Sequence, residues 1–408
     1  MRILMLSQFY PPIIGGAEQH VRNLSIALAS RGHKVAVVTL QHRDQAEYEL
    51  DQGVQVYRIR SSLQRVSLLF RDSGRQYAPP FPDPELMLAL RRIIQRERPE
   101  IVHAHNWLVY AFLPLKAWSR AKLIVTLHDY NLVCARTTFM YHNACCKGPG
   151  IVKCLGCAAQ YYGVAKGIPT VLGNWVMGLV QRDAVDMFLP VSQAVALNTG
   201  LVDGQRPFQV MSNFMPDDAA VLDAGSQCYV SQLPAEDYLL FVGAFNRQKG
   251  VDVLLRAYAG LPGAPPLVLI GYQTPEWSAL AENLPANVFV FNDWPRAAVL
   301  EAWHRSVIGL FPSVGPETFG IAALEAMWAG RPVISSRTGG LVDLVSDGET
   351  GLLVPPGDPL ALQQAIKQLL AHPGLRKRMG QAAQQKALAF QESRVVPRIE
   401  QVYAQVVA

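Results

Sequence analysis

The sequence predicts an α/β protein of two successive Rossmann-like domains, and three observations predict it. The chain has 408 residues, well beyond one ordinary domain of about 100–200. Short apolar runs alternate with stretches of helical period along most of its length. The series breaks at a polar stretch near residues 215–230 and then starts afresh. Half of the residues are hydrophobic and 17% are charged, the composition of a globular chain.

Arg2 to Leu6 is a short apolar run that fits a buried parallel strand. The loop SQFYPPIIGGAE follows, rich in Pro and Gly. In Glu18 to Ser30, Val21, Leu24, Ala27 and Leu28 recur at helical spacing, and Gly32 sits where a C-cap belongs. Val35 to Leu40 is the next strand, which completes a βαβ unit. Ile101 to His105, Lys122 to His128 (KLIVTLH) and Met187 to Val191 continue the first sheet. Asp217 to Gly225 is polar. Tyr238 to Gly243 opens a second sheet, and Val251 to Ala259 is its first helix. Leu267 to Gly271, Val288 to Phe291, Val307 to Pro312 and Pro332 to Ser335 follow between helical stretches. The expected boundaries are a first domain over 1–220, a second over 221–395, and a terminal helix over 396–408 that packs back towards the first. A ligand is expected in the cleft between domains, at the carboxyl ends of the strands.

The stretch GPETFGIAALEAMWAGRPVISSRTGG, Gly315 to Gly340, carries the chemistry. Glu317 precedes a helix over Gly320 to Ala329, and Glu325 lies two turns inside it. Eight residues span roughly 12 Å along a helix, the order of the distance from ribose to hexose in a nucleotide sugar. The open N–H groups at the helix start suit a diphosphate between the two. Acidic side chains bind ribose diols, so one carboxylate suits the hexose and the other the ribose. Gly339-Gly340 ends the next strand as a second point of backbone approach, and Gly15-Gly16 offers another at the first β-to-α turn.

With these residues in place, the sequence resembles the retaining GT-B glycosyltransferases of family 4, which use nucleotide-diphospho-sugars. The resemblance runs through MRILMLSQFYPPIIGGAEQHVRNLSIALASRGHKVAVVT, HAHNW, TLHDYN, FVGAFNRQKGVDVLL and the block from Gly315 to Asp358. It implies a GT-B fold and, within the group, a bacterial polysaccharide-type member. It assigns Glu317 to the donor hexose and Glu325 to the ribose. The backbone around Phe319, Gly320 and Ile321 would meet hexose and phosphate, Gly16 would face the phosphate, and His128 would lie near the reacting face of the sugar. Lys249 would pair with the diphosphate and balance the leaving-group charge. The family usually has Arg where this chain has Ala244, and Arg247 is the loop residue placed to substitute. Asp343 stands where Glu is more frequent.

The implied reaction is glycosyl transfer with retention, by front-face attack. Catalysis rests on neutralising the diphosphate, and no Asp-x-Asp pair calls for a catalytic metal. An inverting transferase, a nucleotide-sugar epimerase and a non-catalytic nucleotide-sugar-binding subunit remain alternatives. A dehydrogenase is disfavoured, because the first turn has no G-x-G-x-x-G. His103 and His105 alternate along one strand and so share a face.

The net charge of +5 is unevenly spread. Up to Phe214 there are 23 Lys+Arg against 14 Asp+Glu, and 14 against 18 thereafter. The basic half suits an anionic lipid surface or an anionic acceptor. No nucleic-acid module is recognisable. Tyr161 to Leu179 is apolar and aromatic. With Arg58, Arg60, Arg65, Arg71 and Arg75 it suits either a membrane surface or packing in the core or an acceptor pocket. Five of the six cysteines lie between Cys134 and Cys157. The knuckle Cys154-x2-Cys157, with Cys134 and Cys145 or Cys146, is a candidate structural zinc site; reduced buried thiols or a redox role are the alternatives. With no signal peptide and no apolar run free of prolines long enough to span a bilayer, the expected location is cytoplasmic, with peripheral attachment to the inner face of the membrane as an option.

Overall fold

A computed structural model describes residues 1–13, 15–42, 45–65, 77–142, 144–217, 226–282, 284–285 and 287–408. Arg71, Arg75 and most of the polar 217–225 stretch lie outside them. The chain forms two compact units. The first is Met1–Phe139, Lys147–Ser212 and Ser393–Ala408; the second is Met140–Cys146 and Asn213–Glu392.

The strands of the first unit are β1 (Arg2–Leu6), β2 (Lys34–Leu40), β3 (Tyr48–Asp51), β4 (Val54–Ile59), β5 (Ile101–Ala104) and β6 (Lys122–Leu127). A hairpin of β7 (Met140–Tyr141) and β8 (Ala144–Cys145) belongs to the second unit, and β9 (Met187–Pro190) returns to the first sheet. The sheet order is β3-β4-β2-β1-β5-β6-β9, parallel except for the antiparallel β3–β4 edge. Ile3 to Leu6 are almost wholly buried, because a parallel strand is covered on both faces and so reads as an unbroken apolar run. The chain crosses from one side of β1 to the other at β5, so a crevice opens at the carboxyl ends of β1 and β5.

Local chemistry fixes the helices. Asp83 caps the helix Pro84–Glu97 by accepting from the N–H groups of Glu85 and Leu86, with Pro at the first helical position. The terminal helix Glu392–Val407 is tied into the first unit by side chains. Glu400 pairs with Arg31 and His33, both at 2.8 Å, and the buried Tyr403 hydroxyl meets His103 Nδ1 at 2.7 Å.

The second unit holds β10 (Leu239–Phe245), β11 (Leu267–Gln273), β12 (Val288–Asn292), β13 (Ile308–Phe311), β14 (Val333–Ser336) and β15 (Gly351–Val354), in the order β12-β11-β10-β13-β14-β15. Its core includes Phe241, Phe245, Leu254, Trp277, Ile334 and Leu362. The order reverses between β10 and β13. Their ladder holds only Leu239 with Ile308 and Leu240 with Gly309, while β10 runs on to Phe245 against β11. The parallel pair therefore separates towards its carboxyl end, which is the switch-point crevice of a doubly wound sheet.

Candidate functional site

Two loops leave that crevice in the second unit. After β10 comes NRQKG, Asn246 to Gly250; after β13 comes PSVGPETFG, Pro312 to Gly320. They are joined through backbone: the N–H groups of Val314 and Gly315 both donate to Gln248 O, at 2.9 and 3.1 Å. Gly250 has φ +70°, and a Cβ there would lie 1.9 Å from Pro312 O, so only glycine allows this approach. Asn246 Oδ1 accepts from Lys249 N at 2.8 Å and shapes the turn.

The turn delivers Lys249 to Glu317, 68 positions away. Lys249 Nζ lies 2.7 and 2.9 Å from the two Glu317 carboxylate oxygens, and Ser313 Oγ donates to Glu317 Oε1 at 2.6 Å. Burial pushes the Glu317 carboxyl up, but the Lys249 charge and the bonds from Lys249 and Ser313 outweigh it and hold the group below the usual glutamate range. Glu317 is thus an ionised, oriented carboxylate in a mostly dry setting.

Gly320 takes a left-handed conformation at the N-cap of the helix Ile321–Trp328. Phe319 turns its ring into the core against Phe390, so only its backbone is available to a ligand. Glu325, about one turn into this helix, is 7% exposed and pairs with Arg296 Nε at 3.2 Å. Burial raises its carboxyl above the ordinary range, with Arg296 pulling the other way. Gly339 and Gly340 brace the Glu317 loop. Gly340 N donates to Glu317 O at 2.7 Å, and a Cβ on Gly339, at φ +54°, would lie 2.0 Å from that oxygen. A Cβ on Gly340 would lie 2.4 Å from Thr318 O, so the two missing side chains make room for the backbone of Glu317 and Thr318, which the sequence did not reveal. Ala244 is buried at 4%, whereas Arg247 is exposed, its backbone N–H bound to Glu276 at 2.9 Å.

The hairpin β7–β8 also contributes to this unit. Cys145 Sγ reaches Val314 O at 3.6 Å and Thr338 Oγ1 at 3.8 Å. Cys134, Cys154 and Cys157 belong to the first unit instead. Among the described residues no three Cys, His, Asp or Glu groups converge in a way that could hold a metal.

The first unit has its own constellation at the carboxyl ends of β1, β5 and β6. Gly16 begins the helix Gly16–Ser30. His20, His103, His105 and His128 are all buried. His105 Nδ1 lies 3.0 Å from His128 Nε2, His103 Nε2 lies 2.7 Å from Thr126 Oγ1, and the His20 and His128 ring centroids are 5.0 Å apart. Burial lowers His128 to about 4, so it is a neutral imidazole at pH 7. Burial also raises the neighbouring Asp129 to about 7. Sequence reasoning singled out His128, His103 and His105 but not His20 or Asp129. The helical register of His20, four residues into the first helix, was the available signal.

Two Rossmann-like units, each with a switch-point crevice, and a Lys–Glu pair beside a helix start in the second define a glycosyltransferase of the GT-B class. Residues 14–199 match the family model described as Glycosyltransferase Family 4, and residues 231–386 the model described as Glycosyl transferases group 1. The chain belongs to this family. It is 27% identical over 434 residues to a glycogen synthase of Mycobacterium tuberculosis, covering 99% of this chain and 94% of that protein. The fold is similar to that of sucrose-phosphate synthase from Thermosynechococcus elongatus (TM-score 0.78, 21% identity, 99% and 98% of the two chains). It is also similar to that of HepE from Anabaena in complex with UDP-glucose (TM-score 0.69, 17% identity, 99% and 98%).

Proposed function

We propose that this chain transfers a hexosyl group from a nucleotide-diphospho-sugar to a hydroxyl of a saccharide or lipid-linked saccharide, with retention at the anomeric carbon, in cytoplasmic synthesis of a cell-surface polysaccharide. The observation that supports it most is the Lys249–Glu317–Ser313 cluster at the separating ends of β10 and β13. In this reading Lys249 and the N–H groups at Gly320 and Ile321 take the diphosphate and stabilise it as it leaves. No catalytic metal is needed, since the cation and the helix start supply that charge. Glu317, already ionised and oriented, accepts from hexose hydroxyls, and Glu325, anchored by Arg296, takes the ribose. Arg247 supplies the second cation that Ala244 does not. Gly16 and His128 serve the donor from the first unit. The His105 bond occupies Nε2 of the His128 ring, so Nδ1 is the nitrogen assigned to the sugar.

Support for a nucleotide-sugar donor also comes from HepE with UDP-glucose and from a starch synthase bound to ADP and acarbose. The test is a thermal-shift panel of UDP-, GDP- and ADP-sugars, followed by NMR of the glycoside formed. One donor is expected to raise the melting temperature and to give a product of unchanged anomeric configuration. An inverted product removes the retaining mechanism, and a panel in which nothing shifts removes the donor class.

A further inference from the structure

A second surface lies on the helix Val164–Ala184, which turns large apolar side chains outward as well as inward. Ile168, Leu172, Trp175, Val176, Leu179 and Val180 are all exposed, Trp175 at 52% and Leu179 at 54%. The inward side is mixed: the apolar Val171 and Met177 are buried there together with the polar Thr170, Asn174 and Gln181. At about 100° per residue the six apolar side chains fall within an arc of roughly 140° and run for about 18 Å. The opposite side is fixed to the first unit by small residues: a Cβ added at Gly173 would lie 2.8 Å from Pro80 O, and one at Gly178 3.0 Å from Leu132 O. The helix is therefore seated on the protein, with a continuous apolar ridge turned to solvent. Isolated exposed leucines need no explanation, but a contiguous ridge does.

Charge and area select the occupant. From Tyr130 to Arg182 the sequence carries five Lys or Arg and no Asp or Glu, and the acid that follows in the last turn of the helix, Asp183, is paired with Arg206. Lys147, Lys153, Lys166 and Arg182 bracket the ridge in sequence. Such a face complements an anionic surface. A single helix face about 18 by 10 Å offers on the order of 200 Å², well short of the ~800 Å² per partner that a stable dimer buries. No helix among the described residues is long and apolar enough to cross a membrane, and this one is packed along one side. An apolar ridge with a tryptophan and flanking lysines is the pattern of a helix lying in the plane of the headgroups.

We propose that the outer face of the helix Val164–Ala184 docks the protein on an anionic bilayer. The inference does not depend on the donor site in the other unit. The test is co-sedimentation of the full chain with phosphatidylglycerol vesicles, against phosphatidylcholine vesicles, at low and high salt. The native chain is expected to pellet with the anionic vesicles and to release as salt rises. Leu172→Glu with Leu179→Glu should cut partitioning by roughly tenfold or more, with the melting temperature and nucleotide-sugar binding kept. Should that variant fold poorly, quenching of native tryptophan emission by brominated lipid, largely lost in Trp175→Phe, reports the same contact. The proposal is overturned if the native chain stays in the supernatant with phosphatidylglycerol. It is equally overturned if the double variant binds like the native chain or Trp175→Phe leaves the quenching unchanged. It also fails if the native chain is a dimer that the double variant converts to monomer without vesicle binding, since a second copy then covers the ridge.

Discussion

Replacing Lys249 with Met removes the one cation that, among the described residues, pairs with Glu317. At ~2.8 Å and an effective dielectric near 20 the pair attracts by about 6 kcal/mol before desolvation is subtracted. Breaking a fully buried pair costs ~3–5 kcal/mol. Lys249 is 34% exposed and Glu317 15%, so water screens part of the loss, and about 1–3 kcal/mol is expected. The pH signature is sharper. In the native chain Glu317 is depressed, so its contribution is present above the ordinary glutamate range and is lost as pH falls through the depressed value. Without Lys249, burial dominates and the pKa rises, so the variant loses stability as pH climbs through the raised value. Calorimetry at pH 4 and pH 7 should show the gap between variant and native widening towards pH 7. Adding Glu317→Gln should restore most of the stability but not the activity, which should be down by about 10²–10³ in kcat. A gap that is flat with pH, or a double variant no more stable than Lys249→Met, would refute this account of the pair.

Three further outcomes follow from the same geometry. Gly339→Ala meets Glu317 O and a positive φ, and should cost about 1–3 kcal/mol with a fall in kcat; an unchanged melting temperature and rate would contradict the bracing role. Asp129 is raised to about 7, so its contribution is present below the ordinary aspartate range and is lost as pH rises towards 7. Asp129→Asn should therefore flatten the stability profile between about pH 4 and 7, read as melting temperature against pH. Arg247→Ala should raise the donor KM by roughly ten- to a hundredfold, the worth of a charged hydrogen bond, with little change in melting temperature; an unaltered KM removes Arg247 from the donor site.

The sheets were legible because buried parallel strands leave an unbroken apolar trace, as at Arg2–Leu6 and Lys122–Leu127. The β3–β4 hairpin was missed: its two-residue turn, Gln52-Gly53, has positive φ at both positions, but Gln lacks the Asn or Asp side chain that announces such a turn in sequence. The spacing of Glu317 and Glu325 was visible, but their partners were not. Lys249 and Arg296 arrive from other elements, and no periodicity couples positions 68 or 29 residues apart. The same holds for Tyr403 on His103. Gly339-Gly340 read as points of backbone approach, but that the space of their missing side chains is taken by the backbone of Glu317 and Thr318 could not be read from spacing. In the cysteines, spacing could not show that Cys145 sits on a hairpin of the second unit, against Val314 O and Thr338 Oγ1.

The most direct measurement is a crystal structure with an intact nucleotide-diphospho-sugar. The diphosphate is predicted within hydrogen-bond distance of Lys249 Nζ and the backbone N–H groups at Gly320 and Ile321, with a hexose hydroxyl on Glu317. A donor whose phosphates sit elsewhere, leaving the Lys249–Glu317 pair untouched, would contradict it.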